Sequence, residues 1–180
     1  FIPECNLLGE EGMGLHIAMD SINCSRVSVA AQALGIAQGA FDKALNYSVE
    51  RSQFGRSIGK FQSIQWMLAD MATRIEAARL LVYEAAFLEE AGLSFIKESS
   101  MAKVYASETA HFVTDRAIQI FGGYGYVKEY SIERYYRDAR VCGIYEGTDE
   151  MQRMTISRQL MNDLELSTPG SISGKVLQPV

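Results

Sequence analysis

An all-α fold, an antiparallel four-helix bundle with additional short helices, is predicted by three observations. The chain is 48% hydrophobic with only three prolines in 180 residues, a composition that argues for a helical globular core and against disorder. Apolar residues recur at three- and four-residue spacing through three long stretches. The joins between those stretches are short, so helices of roughly 25 to 35 residues must fold back on one another to cover their apolar stripes.

Residues 1–14 carry Pro3, Gly9, Gly12 and Gly14 and read as an extended entry segment rather than a helix. From Leu15 to about Glu50, the positions Ile17, Ile22, Val27, Ala30, Ala31, Leu34, Ala37, Phe41 and Leu45 mark the inner face of one long helix. Gly35 and Gly39 within it are read as points of close helix approach. The stretch from Ser52 to Gly59 breaks the pattern at Gly55 and Gly59, and a second helix runs from about Phe61 to Glu90. A third spans about Phe95 to Phe121 and stops at Gly122-Gly123. Its pattern places Glu98, Lys103 and Glu108 outward, and Met101, Val104, Tyr105, Phe112, Val113 and Ile120 inward.

Ser131 opens a shorter helix to about Ala139, with Arg134 where a capping box would carry an acid, hence a weak cap. Thr148 or Asp149 caps a last helix through Met161. The bundle domain is therefore assigned to residues 15–162, and residues 163–180, which turn to Ser, Gly and Pro, to a flexible tail or linker. No internal repeat appears.

The formal charge of −5 and the lack of a basic block argue against nucleic acid as a partner. Small molecules or other subunits are expected instead. Cys5, Cys24 and Cys142 are odd in number and widely spaced, which suggests neither a disulfide framework nor a zinc site and points to a reducing compartment. His16 and His111 give no reason to expect a metal. No charged stretch followed by an apolar core of signal-peptide type appears, and no apolar run of about 18 residues, so neither a signal peptide nor a membrane span is expected within these residues. The start at Phe1-Ile2-Pro3 suggests a piece of something longer.

Chemistry is concentrated in Ile144-Tyr145-Glu146-Gly147-Thr148-Asp149-Glu150-Met151-Gln152. A lone carboxylate between an aromatic and a glycine, beside N–H groups that begin a helix, can serve as a general base whose nascent charge those groups stabilise. The same dipeptide also occurs as a solvated loop. Arg51, at the end of the first long helix, can complement the helix dipole or hold a phosphate through its planar fork. Gln62 can donate and accept hydrogen bonds, and such glutamines are commonly just solvated. Gly122-Gly123, after Gln119, either closes a helix or lets the backbone approach a ligand; it is no G-x-G-x-x-G fingerprint. Arg26, among small and apolar residues, must face solvent or meet a carboxylate. Trp66 reads as core or interface rather than as a flavin platform.

Taken together, Arg51 to Gly55, Phe61-Gln62, Gln119 to Gly123, Arg134 to Arg140 and Tyr145 to Gln152 resemble the C-terminal helical domain of the acyl-CoA dehydrogenases. The resemblance spans about Pro3 to Leu160, in the family's order and separations. It implies one domain of a three-domain FAD enzyme, with residues 1–14 leading from a β-domain. In that frame Glu146 matches the base that takes the α-proton of an acyl-CoA thioester while the β-hydrogen leaves as hydride to flavin N5. Arg51, Gln62, Gln119, Gly122 and Gly123 match FAD contacts made across a dimer interface, and Thr148 and Glu150 match contacts within the subunit. Arg26 and Gly147 fall beside the substrate, Arg26 in a positioning role, while Asn23 stands where the family often has a substrate-contacting acid.

Members whose base lies on the first long helix carry it where Ser25 stands here, so the chain resembles the short- and medium-chain type, or the very-long-chain group that shares this base. Glu146 also departs from the aspartate of the related nitroalkane oxidases. The resemblance further implies an electron-transfer flavoprotein as partner and a homodimer or homotetramer. The compartment would be cytoplasmic in a bacterium and the mitochondrial matrix in a eukaryote. An acyl-CoA oxidase, or a non-catalytic oligomerisation or assembly module of the same fold, are the alternatives.

Overall fold

Alanine at helical spacing lets long helices approach closely, and this chain places it on three of them. In the computed structural model, which describes residues 1–167, α1 (Gly14–Glu50), α2 (Gln62–Glu90) and α3 (Ile96–Phe121) are followed by α4 (Ile132–Cys142) and α5 (Asp149–Ser167). Ala30, Ala33, Ala37, Ala40 and Ala44 of α1 are buried against Ala102, Ala106, Ala110, Val113 and Ala117 of α3 and Met71, Ile75, Ala78, Val82 and Ala85 of α2. Burial of such apolar surface, at about 25 cal/mol per Å², is what holds the long helices in place.

Contacts fix the directions. Arg26 meets Ser100 and Tyr47 stacks on Phe121, so α1 and α3 run parallel. Arg79 bonds to Gln38, and Gly59 packs on Ser48, so α2 returns antiparallel to both. Tyr135 of α4 lies against Gly39 and His111 meets Ala139, while α5 pairs Arg153 with Glu108 and Asp163 with Lys97. Helices α4 and α5 therefore both descend along α3 as one fourth limb of the bundle, interrupted between Cys142 and Asp149. Among the described residues no helix is long and apolar enough to span a membrane.

Most boundaries fall where the pattern placed them, with informative exceptions. The join after α1 is a small hairpin, β1 (Ser52–Gln53) against β2 (Arg56–Ser57), whose turn residues Phe54 and Gly55 both take positive φ, 53° and 78°. Gly122 ends α3 at φ 62°. Ser131 precedes α4 without a side-chain cap bond, as the missing acid at Arg134 suggested. The last helix runs past Met161 to Ser167, and the rest of the stretch read as a tail lies outside the described residues.

Four packing expectations are corrected and a fifth is narrowed. Lys103 is not outward but fully buried, because it shares a face of α3 with Ser99, Ala106 and Ala110. Ala31 and Leu45 are exposed, since α1 is contacted along a narrow alanine seam rather than a broad stripe. Gly39 is a close approach, where an added Cβ would sit 2.8 Å from the Tyr135 ring, but Gly35 faces open space. Of the two places read for Trp66, core or interface, the core is excluded: it stands 62% exposed on the outer side of α2, with Tyr83 and Phe87 also outward.

Candidate functional site

The interruption of the fourth limb is where Glu146 sits. Helix α4 ends at Cys142, and the backbone turns through Gly143 to Thr148 before α5 begins. Glu146 and Gly147 both adopt positive φ, 53° and 82°. For a non-glycine residue that conformation costs about 1–2 kcal/mol, so the surrounding structure must hold it.

The holding groups are buried and polar. Gln152 Nε2 donates to the Glu146 carbonyl at 3.0 Å and the Gly147 carbonyl at 3.2 Å. Lys103 Nζ donates to the Gly147 carbonyl at 2.9 Å and to Asp149 Oδ1 at 2.8 Å. Ser107 Oγ lies 2.9 Å from both Asp149 carboxylate oxygens, and the Asp149 N–H donates to the Gly143 carbonyl at 3.2 Å. All peptides here are trans, so with the Glu146 and Gly147 carbonyls turned toward Gln152 and Lys103, the N–H groups of Gly147 and Thr148 point the other way. Thr148 is the residue that caps α5, accepting the Met151 N–H at 3.3 Å. The Asp149 side chain is turned inward instead.

The Glu146 carboxylate is half-buried and accepts from Ser25 Oγ of α1 at 2.8 Å. Beside it, Arg26 is only 4% exposed and neither faces solvent nor forms an ion pair among the described residues; it donates to Ser100 Oγ at 3.2 Å and leaves Nε without a partner. Burial lowers the Arg26 pKa from its ordinary value, and the Glu146 charge pushes it back up. Tyr145 anchors the other side of the turn by donating to Gln32, and burial, with the nearby Cys142 thiol, pushes its pKa up to about 12. Burial likewise raises the Cys142 thiol.

A second region lies at the opposite end of α1. Arg26 and Arg51 are 25 positions apart, roughly 37 Å at the helical rise. There a cleft of about 460 Å³ is lined by Tyr47, Arg51, Gln53, Phe121, Gly122, Gly123 and Tyr124. Tyr47 stacks on Phe121 with centroids 4.1 Å apart, Tyr130 meets both edge-on, and the Arg51 guanidinium lies 5.5 Å from the Tyr124 ring centre. An added Cβ at Gly122 or Gly123 would meet nothing within 4 Å, so their backbone is open to close approach. Those features, an arginine fork beside bare backbone and stacked rings, suit a phosphate-bearing aromatic cofactor.

The residues expected to bind a cofactor are thus split. Arg51, Gly122 and Gly123 line the aromatic cleft. Gln62 and Gln119 are exposed at its margins, adjoining the turn that carries Ile58 and the lining residue Ile120. Thr148 and Glu150 line a separate, polar cleft of about 580 Å³ at the start of α5, with Arg140, His111 and Glu108. The Glu150 carboxyl is held below its ordinary pKa, first by its own backbone N–H and then by the Thr148 hydroxyl. His16 faces a carboxylate one turn on, Asp20 at 3.6 Å, as an exposed pair.

Sequence reasoning did not find Lys103, Ser107, Gln152 or the inward role of Asp149. A signal for Lys103 existed, since it stands one turn from Ser99, Ser107 and Ala106 on the face that carries the small residues. No periodicity signals that Asp149 and Gln152 would turn toward it.

A family model described as Acyl-CoA dehydrogenase, C-terminal domain, matches residues 12–161. Acryloyl-CoA reductase (NADH) of Anaerotignum propionicum is 54% identical over 160 residues, 89% of this chain and 41% of that protein. Caffeyl-CoA reductase-Etf complex subunit CarC of Acetobacterium woodii is 52% identical over 160 residues, 89% of this chain and 42% of that protein. The solved butyryl-CoA dehydrogenase of Megasphaera elsdenii superposes with a TM-score of 0.87 at 51% identity, covering 89% of this chain and 42% of its own. The chain spans about two fifths of the length of these relatives.

Proposed function

Because the chain belongs to the acyl-CoA dehydrogenase family, as its C-terminal domain, we propose that the protein containing it interconverts saturated and α,β-unsaturated acyl-CoA thioesters, with Glu146 moving the α-proton. The observation that carries this reading is a strained, half-buried carboxylate oriented by Ser25 Oγ at 2.8 Å, on a turn whose neighbouring N–H groups project away from the core. In the desaturating direction Glu146 takes the α-proton, and the β-hydrogen leaves with its electron pair. FAD, which the family uses, accepts that hydride when bound. The N–H groups at the turn suit the thioester oxygen, where charge accumulates as the α-proton departs. In the reducing direction, which the names of two relatives describe for those proteins, protonated Glu146 returns the proton to the α-carbon.

Arg51, Gly122 and Gly123 would hold the cofactor's pyrophosphate and ring system, with Gln62 and Gln119 at the margin, while Thr148 and Glu150 serve a cofactor at the Glu146 end. A separation of roughly 37 Å along α1 favours a reading in which each cofactor is held by the Glu146 end of one subunit and the Arg51 end of another. Exposed Trp66, Tyr83 and Phe87 on α2 support association of chains. Arg26 and Gly147 border the thioester, Arg26 by the charge it sets beside Glu146. An electron-transfer flavoprotein is the redox partner, and the compartment is a reducing one, cytoplasmic in a bacterium or the mitochondrial matrix in a eukaryote, compatible with free Cys5, Cys24 and Cys142.

Anaerobic titration of the full-length flavoprotein with acyl-CoAs of increasing length tests this. Bleaching of the oxidised flavin band is expected, most with short chains; a full-length protein that carries FAD and is bleached by no acyl-CoA overturns it. Stoichiometric peroxide on admission of oxygen would assign an oxidase instead.

A further inference from the structure

We infer that Lys103, a residue nothing in the reaction chemistry requires, is a positioning residue for the proton-transfer turn, acting with Asp149 and Gln152; the inference rests on the acyl-CoA reading above. Lys103 is the largest fully buried side chain among the described residues, and a buried ammonium is retained at a cost unless its bonds do something specific. Its two bonds are both to the turn: the Gly147 carbonyl at 2.9 Å and Asp149 Oδ1 at 2.8 Å. The second of these ties the turn to the first residue of α5, and Ser107 bonds the same carboxylate from the neighbouring turn of α3.

The geometry requires an interior donor at this place. Between α4 and α5 the chain leaves helical conformation, so the carbonyls of Glu146 and Gly147 lose their helical partners while facing inward. Both carbonyls are partly buried in these bonds, and a buried carbonyl left unpaired costs about 1–3 kcal/mol. Lys103 and Gln152 supply the missing donors. By drawing both carbonyls inward they impose the positive φ of Glu146 and Gly147 and send the adjoining N–H groups outward. Gln152 can reach only because residue 147 has no Cβ, which would lie 2.5 Å from its Nε2. The placement of the carboxylate and of the carbonyl-binding N–H groups thus depends on a cation that itself touches neither substrate nor cofactor.

A merely structural ion pair and a positioning one separate in a neutral double variant. Lys103→Met alone strands the Asp149 carboxylate, so the informative protein is full-length Lys103→Met/Asp149→Asn, which leaves no unpaired buried charge. Its flavin content, its affinity for an alkyl-CoA thioether that cannot be oxidised, and the acyl-CoA concentration that half-saturates bleaching should stay within about twofold of the parent. The limiting rate of bleaching should fall about a hundredfold, as a misplacement near 1 Å would produce. A double variant that bleaches within about threefold of the parent overturns the inference while leaving the dehydrogenase reading intact. A parent that is not bleached at all overturns both. Should the double variant not retain flavin, Gln152→Met, which keeps the ion pair and removes the second donor, should bleach about tenfold slower at unchanged half-saturation, and an unchanged limiting rate there overturns the inference.

Discussion

The two ends of this bundle are built from opposite materials. At the Glu146 end, a buried ammonium, a carboxylate and an amide hold a strained turn through bonds of 2.8–3.2 Å. At the Arg51 end, stacked rings and bare glycine backbone leave a cleft of about 460 Å³. Directional hydrogen bonds suit a group that must stand at one angle to a reacting atom, whereas stacking and an arginine fork suit a large ligand that must be held. Since α1 keeps the ends roughly 37 Å apart, chemistry and grip can be altered separately.

Substitutions that touch one end should therefore leave the other unmoved. The largest effect is expected for Glu146→Gln in the full-length protein: bleaching by the best acyl-CoA slows about a thousandfold with FAD content unchanged. A loss below about tenfold would strip the Glu146 end of its chemical role. Next comes Arg51→Ala, which should weaken FAD binding by about 2 kcal/mol, near thirtyfold, while the bleaching rate at saturating FAD holds. Equilibrium dialysis and stopped-flow on the same preparation would show whether grip and chemistry in fact separate.

The turns themselves offer a finer comparison. Gly147→Ala places a Cβ against Gln152 at φ 82°, and Gly122→Ala meets no neighbour but must hold φ 62° and ψ −138°. Each should lower unfolding stability by about 1–3 kcal/mol, and the double variant should show their sum to within about 0.5 kcal/mol. Only Gly147→Ala should slow bleaching. Non-additive denaturation midpoints would mean that the ends communicate.

The smallest effect is a pH dependence. Tyr145 ionises near 10.0 when free and at about 12 in the fold, so its contribution is full below about pH 10 and is lost as pH rises through about 12. Tyr145→Phe should flatten that alkaline fall in melting temperature.

Helix positions and the candidate base were legible because both rest on local patterns. Alanine and leucine at helical spacing marked α1, α2 and α3, and Gly122 marked the end of α3. Lys103 was misread outward because charge is a good guide to exposure except where a buried partner exists, and its partner lies 46 positions further on. Arg26 was misread for the same reason: Ser100, 74 positions away, takes its bond. The residues expected to contact a cofactor were already divided by the resemblance into a cross-interface set and a within-subunit set, but the roughly 37 Å between Arg26 and Arg51 becomes a distance in space only once α1 is straight and whole.

The amino-acid sequence by itself determined the family, the helices and the place of a carboxylate beside a glycine, since each rests on local patterns or on the order and separation of motifs along the chain. Only the tertiary structure decided that α4 and α5 are one limb broken at Glu146, and that Lys103 and Gln152 fill the break. The physical reason is that carbonyls released from a helix inside a core must find donors, and those donors come from whichever helix packs alongside.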